Sequence, residues 1–469
     1  MRPLPGDVPV TAAEEPVAAD VVALPWFLGD RPGAFALRRG FTGRVGQVVA
    51  EPGADGRSVV LTVGLGRAGE ATASVFRRAS AAAVRAVGPA RTVRLDLALA
   101  GGTPVGGAER ARAVAEGAAL AAYRYGGRGA ALTGIVVRTA CADEVAEAGA
   151  VAGGVRLARD LVNAPPGELT PSVFAERVAA LAGGPVTCAV HGVDGLAELG
   201  ATGVLAVGRG SREAPCLVEL RYEPGGAGRA ITLVGKGVTF DSGGLSLKPA
   251  EAMRSMKADM GGAAAVVGAV VVAAALGLPV RVRALLPLAE NMPGGAALRV
   301  GDVIRHADGT TTEVLNTDNE GRLLLADALL LARDGEAPDL VVDVATLTGS
   351  VAHALGTRGA ALFSPDEALA GAVLAAAGRA GEPVWRLPLT ESEGRHLRSA
   401  VADRANGSHR PGGAIHAALY LRAFTSPDVP WAHLDLGDAA FNEEPSYDEI
   451  PHGATGFGVR TLVELLRRA

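Results

Sequence analysis

Leu233–Ala264 reads LVGKGVTFDSGGLSLKPAEAMRSMKADMGGAA, and Asn316–Arg322 reads NTDNEGR. The largely apolar run Ile231–Val234 predicts a buried strand that delivers Lys236 to its carboxyl end, where open α/β sheets place their ligands. Asp241 and Lys248 follow on a glycine-rich loop, and Asp259 precedes Gly261 and Gly262, which open an Ala/Val-rich helix. In the second segment Asn316, Asp318, Glu320 and Arg322 fall at every second position. On an extended backbone all four side chains share one face, a poor pattern for a core strand and a good one for a polar site.

The chain has 45 Lys plus Arg. Its lysines are Lys236, Lys248 and Lys257, all within this one stretch, and arginine serves everywhere else. Lysine gives up its proton when desolvated beside cations, which arginine does not. A position that needs a neutral amine, such as a metal ligand, therefore needs lysine. Lysines on a solvated loop are the competing reading, most open for Lys257. Asp241, Asp259, Asp318 and Glu320 cannot all be ionised in one pocket without cations beside them. Hard oxygen ligands suit Mg, Mn or Zn, and four carboxylates with one amine suffice for two ions sharing bridging oxygens. The eight histidines form no HExxH pair near this region, which disfavours a histidine-built zinc site.

VGKGVTFDSGG, MKADMGGAA and NTDNEGRLLLADAL together resemble the signature segments of the leucyl aminopeptidase (cytosol aminopeptidase) family of dinuclear metallopeptidases. The resemblance runs from about Leu161 to the C-terminus, with the motifs in order. It implies one metal at Asp241, Asp318 and Glu320, another at Lys236, Asp241, Asp259 and Glu320, and catalytic roles for Lys248 and Arg322. All seven positions hold the residue type the motif requires. It further implies two divalent ions per subunit, Mn2+ or Zn2+, a bicarbonate general base at Arg322, and oxyanion stabilisation by Lys248. Substrate contacts are implied at Lys248, Met256, Asp259, Asn316, Thr346, Leu347 and Gly349, where Ala345–Gly349 (ATLTG) is similar to the cleft segment. The expected substrates are short peptides with a free N-terminus, and the expected assembly is a homohexamer. Asn319 departs from the pattern, standing where alanine is usual, with its side chain expected to face away from the ligands. His409 and His416 receive no role.

A chain of 469 residues predicts two or three domains, and 49% hydrophobic with 4% aromatic residues predicts a core of Ala, Val and Leu. Net charge is −5 without blocks of like charge, so nothing in the balance favours nucleic acid or an anionic membrane as a partner. The odd, widely spaced Cys141, Cys188 and Cys216 read as reduced and buried, consistent with a cytoplasmic chain. The N-terminal stretch to Asp20 lacks a secretory pattern. Ala263–Leu278 is too short and too weakly apolar for a membrane span and predicts a buried helix.

The expected fold is α/β: a smaller N-terminal α/β domain at 1–150, for assembly or regulation, and a catalytic α/β domain at 151–469 with a central mixed sheet covered by helices. Strands are expected at Val21–Leu24, Arg44–Val49, Val59–Val63, Val93–Ala98, Gly134–Arg138, Val186–Val190, Gly203–Val207, Cys216–Tyr222, Ile231–Gly235, Val280–Leu286 and Leu340–Ala345. Helices are expected at Glu70–Val87, Ala108–Tyr123, Ala142–Leu161, Thr170–Leu181 with Thr170 as N-cap, Val193–Leu199, Gly262–Ala275 and Leu323–Arg333. Two alternatives stay open: a dinuclear hydrolase of another amide or a phosphoester, and an accessory DNA-binding role, against which the absent basic stripe argues.

Overall fold

The computed structural model describes residues 8–30, 34–127, 132–226, 228–334 and 337–469; the first seven residues of the N-terminal stretch lie outside them. The chain divides into two compact units, Met1–Arg156 with Glu443–His452, and Leu157–Asn442 with Gly453–Ala469. The division falls inside the 22-residue helix Ala142–Asn163.

The first unit is built on a six-stranded sheet, in spatial order Val10–Ala13, Gly134–Arg138, Thr92–Leu95, Val21–Trp26, Val59–Gly64 and Val48–Pro52. Every neighbouring pair is parallel except the last. Helices Ala73–Arg85 and Gly107–Ala121 pack together and share a buried ion pair, Arg77 to Glu116 at 2.8 Å. The strand expected at Arg44–Val49 begins later, at Val48, because Gly43 and Gly46 adopt positive φ and turn the chain before it.

The second unit carries the larger sheet, in the order Val384–Arg386, Ala360–Phe363, Trp431–Asp435, Leu340–Ala345, Ala230–Gly235, Arg281–Asn291, Cys216–Tyr222 and Val186–His191, with Gly237–Asp241 also pairing to Arg281–Asn291. The strands from Trp431–Asp435 to Arg281–Asn291 are parallel neighbours; antiparallel pairings flank them on both sides. The sheet is mixed, and its parallel centre is where the sequence is most continuously apolar. Val234, Leu285, Val341 and Ala345 pack on the side of helix Gly321–Asp334. On alternate positions Gly235 and Val344 face helix Gly261–Leu276, which is buried from Gly261 to Ala273. A Cβ on Gly262 would stand 2.0 Å from the Val344 carbonyl oxygen, so only glycine lets this helix start against the strand ends.

Two further expectations about the fold need correction. Gly203–Val207 is not a strand but lies in the helix Thr202–Gly208. A five-residue apolar run shows no usable periodicity, and the buried Asp327 carboxylate decides the matter by accepting the Val204 N–H at 2.9 Å near the helix start. Of the cysteines only Cys216 is buried, while Cys141 and Cys188 are partly exposed; all three are free thiols. No helix of the described residues is long and apolar enough to cross a membrane.

Candidate metal centre

The site is assembled where the parallel strands end. Lys236 directly follows strand Ala230–Gly235, its N–H donating to Val344 O at 3.0 Å and its carbonyl accepting from Ala263 N at 2.8 Å. Asp241 is the last residue of strand Gly237–Asp241 rather than a loop residue, and Asp259 follows the short helix Met256–Ala258. Glu320 immediately precedes helix Gly321–Asp334. That helix fully buries Leu323, Leu324, Leu325, Leu329 and Leu330. At about 1.5–3 kcal/mol per buried leucine, on the order of 10 kcal/mol anchors the segment that presents Glu320. Gly321 makes room for the lysine: a Cβ there would lie 2.4 Å from Lys236 Cε.

These elements bring the acidic residues together. Lys236 Nζ lies 2.7 Å from Asp259 Oδ2, 2.8 Å from Asp259 Oδ1 and 2.9 Å from Glu320 Oε1, and donates to Thr346 O at 3.1 Å. Lys248 Nζ lies 2.9 Å from Asp241 Oδ2 and 2.5 Å from Asp318 Oδ1. Carboxylate oxygens of Asp241, Asp259 and Glu320 lie within 4.8 Å of one another, and all three residues are buried. Asp318 sits at the rim, its side chain 31% exposed.

The two ligand loops are stitched together. Thr317 Oγ1 donates to Gly243 O at 2.6 Å and accepts from Ser246 N at 2.8 Å, while Thr317 N donates to Ser246 Oγ at 3.1 Å. Asn291 Nδ2 bridges Asp241 Oδ1 at 2.8 Å and Thr317 O at 3.0 Å. The extended backbone expected for NTDNEGR is absent. Asn319 N closes a turn onto Asn316 O at 3.2 Å, and Asn316 Oδ1 accepts the Asp318 N–H at 2.8 Å. Four hydrogen-bonding side chains in a row favour such local closure over a strand.

Arg322 is buried in the first turn of its helix, with Nη2 donating to Asn319 Oδ1 at 3.3 Å and Nε meeting no acceptor among the described residues. Thr346 Oγ1 donates to Asp259 Oδ1 at 2.8 Å. Leu347 and Thr348 are held by Asp435, whose Oδ1 accepts both amides at 3.0 and 3.3 Å and whose Oδ2 accepts Thr348 Oγ1 at 2.7 Å. Met256 is half-buried and Gly349 exposed. Lys257 stands apart from the cluster, donating to Asn163 O at 2.8 Å beside the Phe441 ring. Sequence reading did not single out Asn291, Asp435 or Asn406; a polar residue closing a largely apolar strand, as in LPLAEN and WAHLD, was the available signal for the first two.

Burial pushes the Asp241 carboxyl up to about 7, and Glu320 beside it adds to the rise. Burial likewise raises Asp259 and Asp318, with Glu320 contributing to both. For Glu320 burial works upward too, but Lys236 and Lys248 outweigh it and the net direction is down. Burial favours a neutral Lys236, yet Asp259, Glu320 and Asp241 reverse this and hold it protonated; Lys248 is raised in the same way. Burial pushes Arg322 down to about 10. Four carboxylates thus face two ammonium groups, and Glu320 Oε2 is buried with no donor among the described residues. The excess negative charge and the orphaned carboxylate oxygen fit a divalent cation.

The model of the cytosol aminopeptidase family catalytic domain matches residues 156–463, and that of the family's N-terminal domain matches 36–127. The probable cytosol aminopeptidase of Streptomyces avermitilis is 42% identical, covering 92% of this chain and 91% of its own. Among solved structures, the bottromycin maturation enzyme BotP in complex with Mn is 61% identical with a TM-score of 0.93, covering 96% of this chain and 99% of that one. A mutant tomato leucine aminopeptidase is 30% identical with a TM-score of 0.88, covering 98% and 97%. With the acidic centre in place and both family domains matched along it, the chain belongs to the cytosol aminopeptidase family and is a peptidase.

Proposed function

We propose that the chain is a metal-dependent aminopeptidase that releases the first residue of short peptides bearing a free N-terminus. The convergence of Asp241, Asp259, Asp318 and Glu320 around Lys236 and Lys248 carries this reading. Asp241, Asp318 and Glu320 would hold one divalent ion, and Lys236, Asp241, Asp259 and Glu320 a second. When bound, Mn2+ or Zn2+ supplies Lewis acidity for activating water and a binding point for the free α-amine.

Lys236 must give up its proton to act as a ligand. The carboxylates that hold that proton are the groups whose charge a divalent ion would offset, so metal binding and deprotonation are coupled at Nζ. Lys248 remains protonated and donates to the developing oxyanion of the scissile carbonyl. Arg322, whose buried Nε meets no acceptor among the described residues and whose fork meets the neutral Asn319, is suited to a planar anion such as bicarbonate, acting as general base. Thr346, Leu347 and Gly349, the first two fixed through Asp259 and Asp435, line the substrate side together with Met256 and Asn316. Family membership supports extending the reading to a cytoplasmic homohexamer in which residues 1–150 serve assembly and 151–469 carry catalysis.

The test is turnover across a panel of aminoacyl anilides before and after chelation. Loss on chelation with recovery on Mn2+ addition is expected; turnover indifferent to chelation overturns the reading. The 61% identity to BotP favours a second, narrower reading, a role in the maturation of a bottromycin-like product. Preference for that enzyme's substrate over every anilide would support it, and equal or poorer turnover would not.

A further inference from the structure

We propose that Asn406 is the positioning residue that fixes the conformation of the loop carrying Asp318, Glu320 and Arg322. This rests on the reading of those three as working groups of the site. Asn406 is fully buried and follows the short strand Arg404–Ala405, which pairs in parallel with Thr311–Glu313. That pairing, continued by Asn406 N donating to Glu313 O at 2.9 Å, sets the side chain level with the start of the loop.

The carboxamide then makes four bonds to loop backbone. Oδ1 accepts the N–H groups of Leu315 at 2.9 Å and Asn316 at 3.3 Å. Nδ2 donates to the carbonyls of Asn316 at 2.7 Å and Asn319 at 3.4 Å. A primary amide has two acceptor sites and two donors, and all four are used. The bonds span Leu315 to Asn319, the residues that turn the chain toward Asp318 and Glu320. Asn291 grips the same loop at Thr317 O, so Asp318 lies between two amide clamps.

Only a side chain with both an acceptor and a two-proton donor at this length fits. Aspartate would turn an oxygen toward two carbonyls, and alanine would remove all four bonds, leaving the Asn316 carbonyl with the Asn319 N–H of the turn alone. Asn406 touches none of the proposed reacting atoms. Its contribution is to hold the ligand carboxylates in register.

The test compares wild type, Asn406→Asp, Asn406→Ala and Glu320→Gln by two readouts. The first is hydrogen exchange of the metal-free protein. In wild type the Leu315 and Asn316 amides should be protected despite lying outside any helix or strand. If they exchange as freely as exposed loop amides, the proposal fails whether or not the variants fold. The second is Mn2+ affinity by calorimetry, expected to fall about 10- to 100-fold in both Asn406 variants. Asn406→Asp is decisive, because an added negative charge near the site would by itself tighten cation binding. Affinity in Asn406→Asp equal to or tighter than wild type overturns the clamp. Unchanged affinity in Glu320→Gln would instead refute the metal reading of the loop, leaving the exchange data to judge Asn406 alone.

Discussion

Replacing Lys236 by methionine removes the ammonium but keeps most of the side-chain volume. In the metal-free protein this strips Asp259 of contacts at 2.7 and 2.8 Å and Glu320 of one at 2.9 Å. Among the described residues Asp259 keeps the Thr346 hydroxyl at 2.8 Å as a side-chain donor, and Glu320 is left buried with Lys248 as the ammonium still acting on it. Breaking a buried pair by deleting one partner costs about 3–5 kcal/mol, because the stranded charge is not resolvated. That is a large part of an ordinary folding free energy. The cost should depend on pH with a definite sign. Wild-type Glu320 titrates below its ordinary 4.5, so it adds stability above that value, lost as pH falls through its folded pKa. Without Lys236 burial loses its main opposing charge, so the Glu320 carboxyl should titrate higher than in wild type and Asp259, already raised, higher still. The penalty is then absent at low pH, grows above about pH 4–5, and levels off above the raised pKa values. Urea unfolding in chelator at pH 5, 6.5 and 8 measures this. A denaturant slope of a few kcal/mol per molar predicts a midpoint lower by about 1 M at pH 8 and by much less at pH 5. Equal midpoints at pH 8, or a deficit as large at pH 5 as at pH 8, would refute the reasoning, since the first denies the stranded charge and the second assigns the loss to packing.

Other perturbations read separate parts of the site. Mn2+ added to the chelated protein at about 1,000 times its Kd should stabilise the fold by about 4 kcal/mol per site, seen as a rise in Tm that Glu320→Gln removes; no rise in wild type counts against cation binding. Lys248→Ala should lower kcat on a leucine anilide by about 10²- to 10³-fold with little change in KM, and unchanged kcat would remove Lys248 from the oxyanion role. His433 is buried with Nδ1 2.5 Å from Asp343 Oδ1; burial opposes its charge, but Asp343 outweighs burial and the pKa lies above the ordinary 6.5. Its stabilisation is full below about pH 6.5 and lost as pH rises through the folded pKa, so the stability gap between wild type and His433→Gln should narrow with rising pH; a gap independent of pH would contradict the charged state.

What was legible in the sequence follows from where the physical signal is local. Ile231–Val234 and Leu340–Ala345 announce themselves as parallel strands buried on both faces, because such strands have no polar face to interrupt the apolar run. The crowding of Lys236, Asp241, Lys248 and Asp259 at and beyond a strand end pointed to the candidate site, and the structure brings these side chains together. The Thr170 cap was equally readable, and its hydroxyl accepts the Val173 N–H at 3.5 Å. Gly203–Val207 was not, because five apolar residues satisfy either period and the arbiter, Asp327, lies more than 100 positions away. Asn291, Asp435 and Asn406 escaped for the same reason. Each is a single polar residue whose meaning lies in backbone groups it meets across long stretches of chain. The segment Glu443–His452, which leaves the second unit for the first, has no compositional mark either.

The most direct measurement is anomalous diffraction at the manganese edge from crystals grown with Mn2+. Two peaks should stand among the carboxylates of Asp241, Asp259, Asp318 and Glu320, one of them within bonding distance of Lys236 Nζ. Occupied manganese sites elsewhere with none inside that cluster would contradict the assignment of these residues as the metal-binding centre.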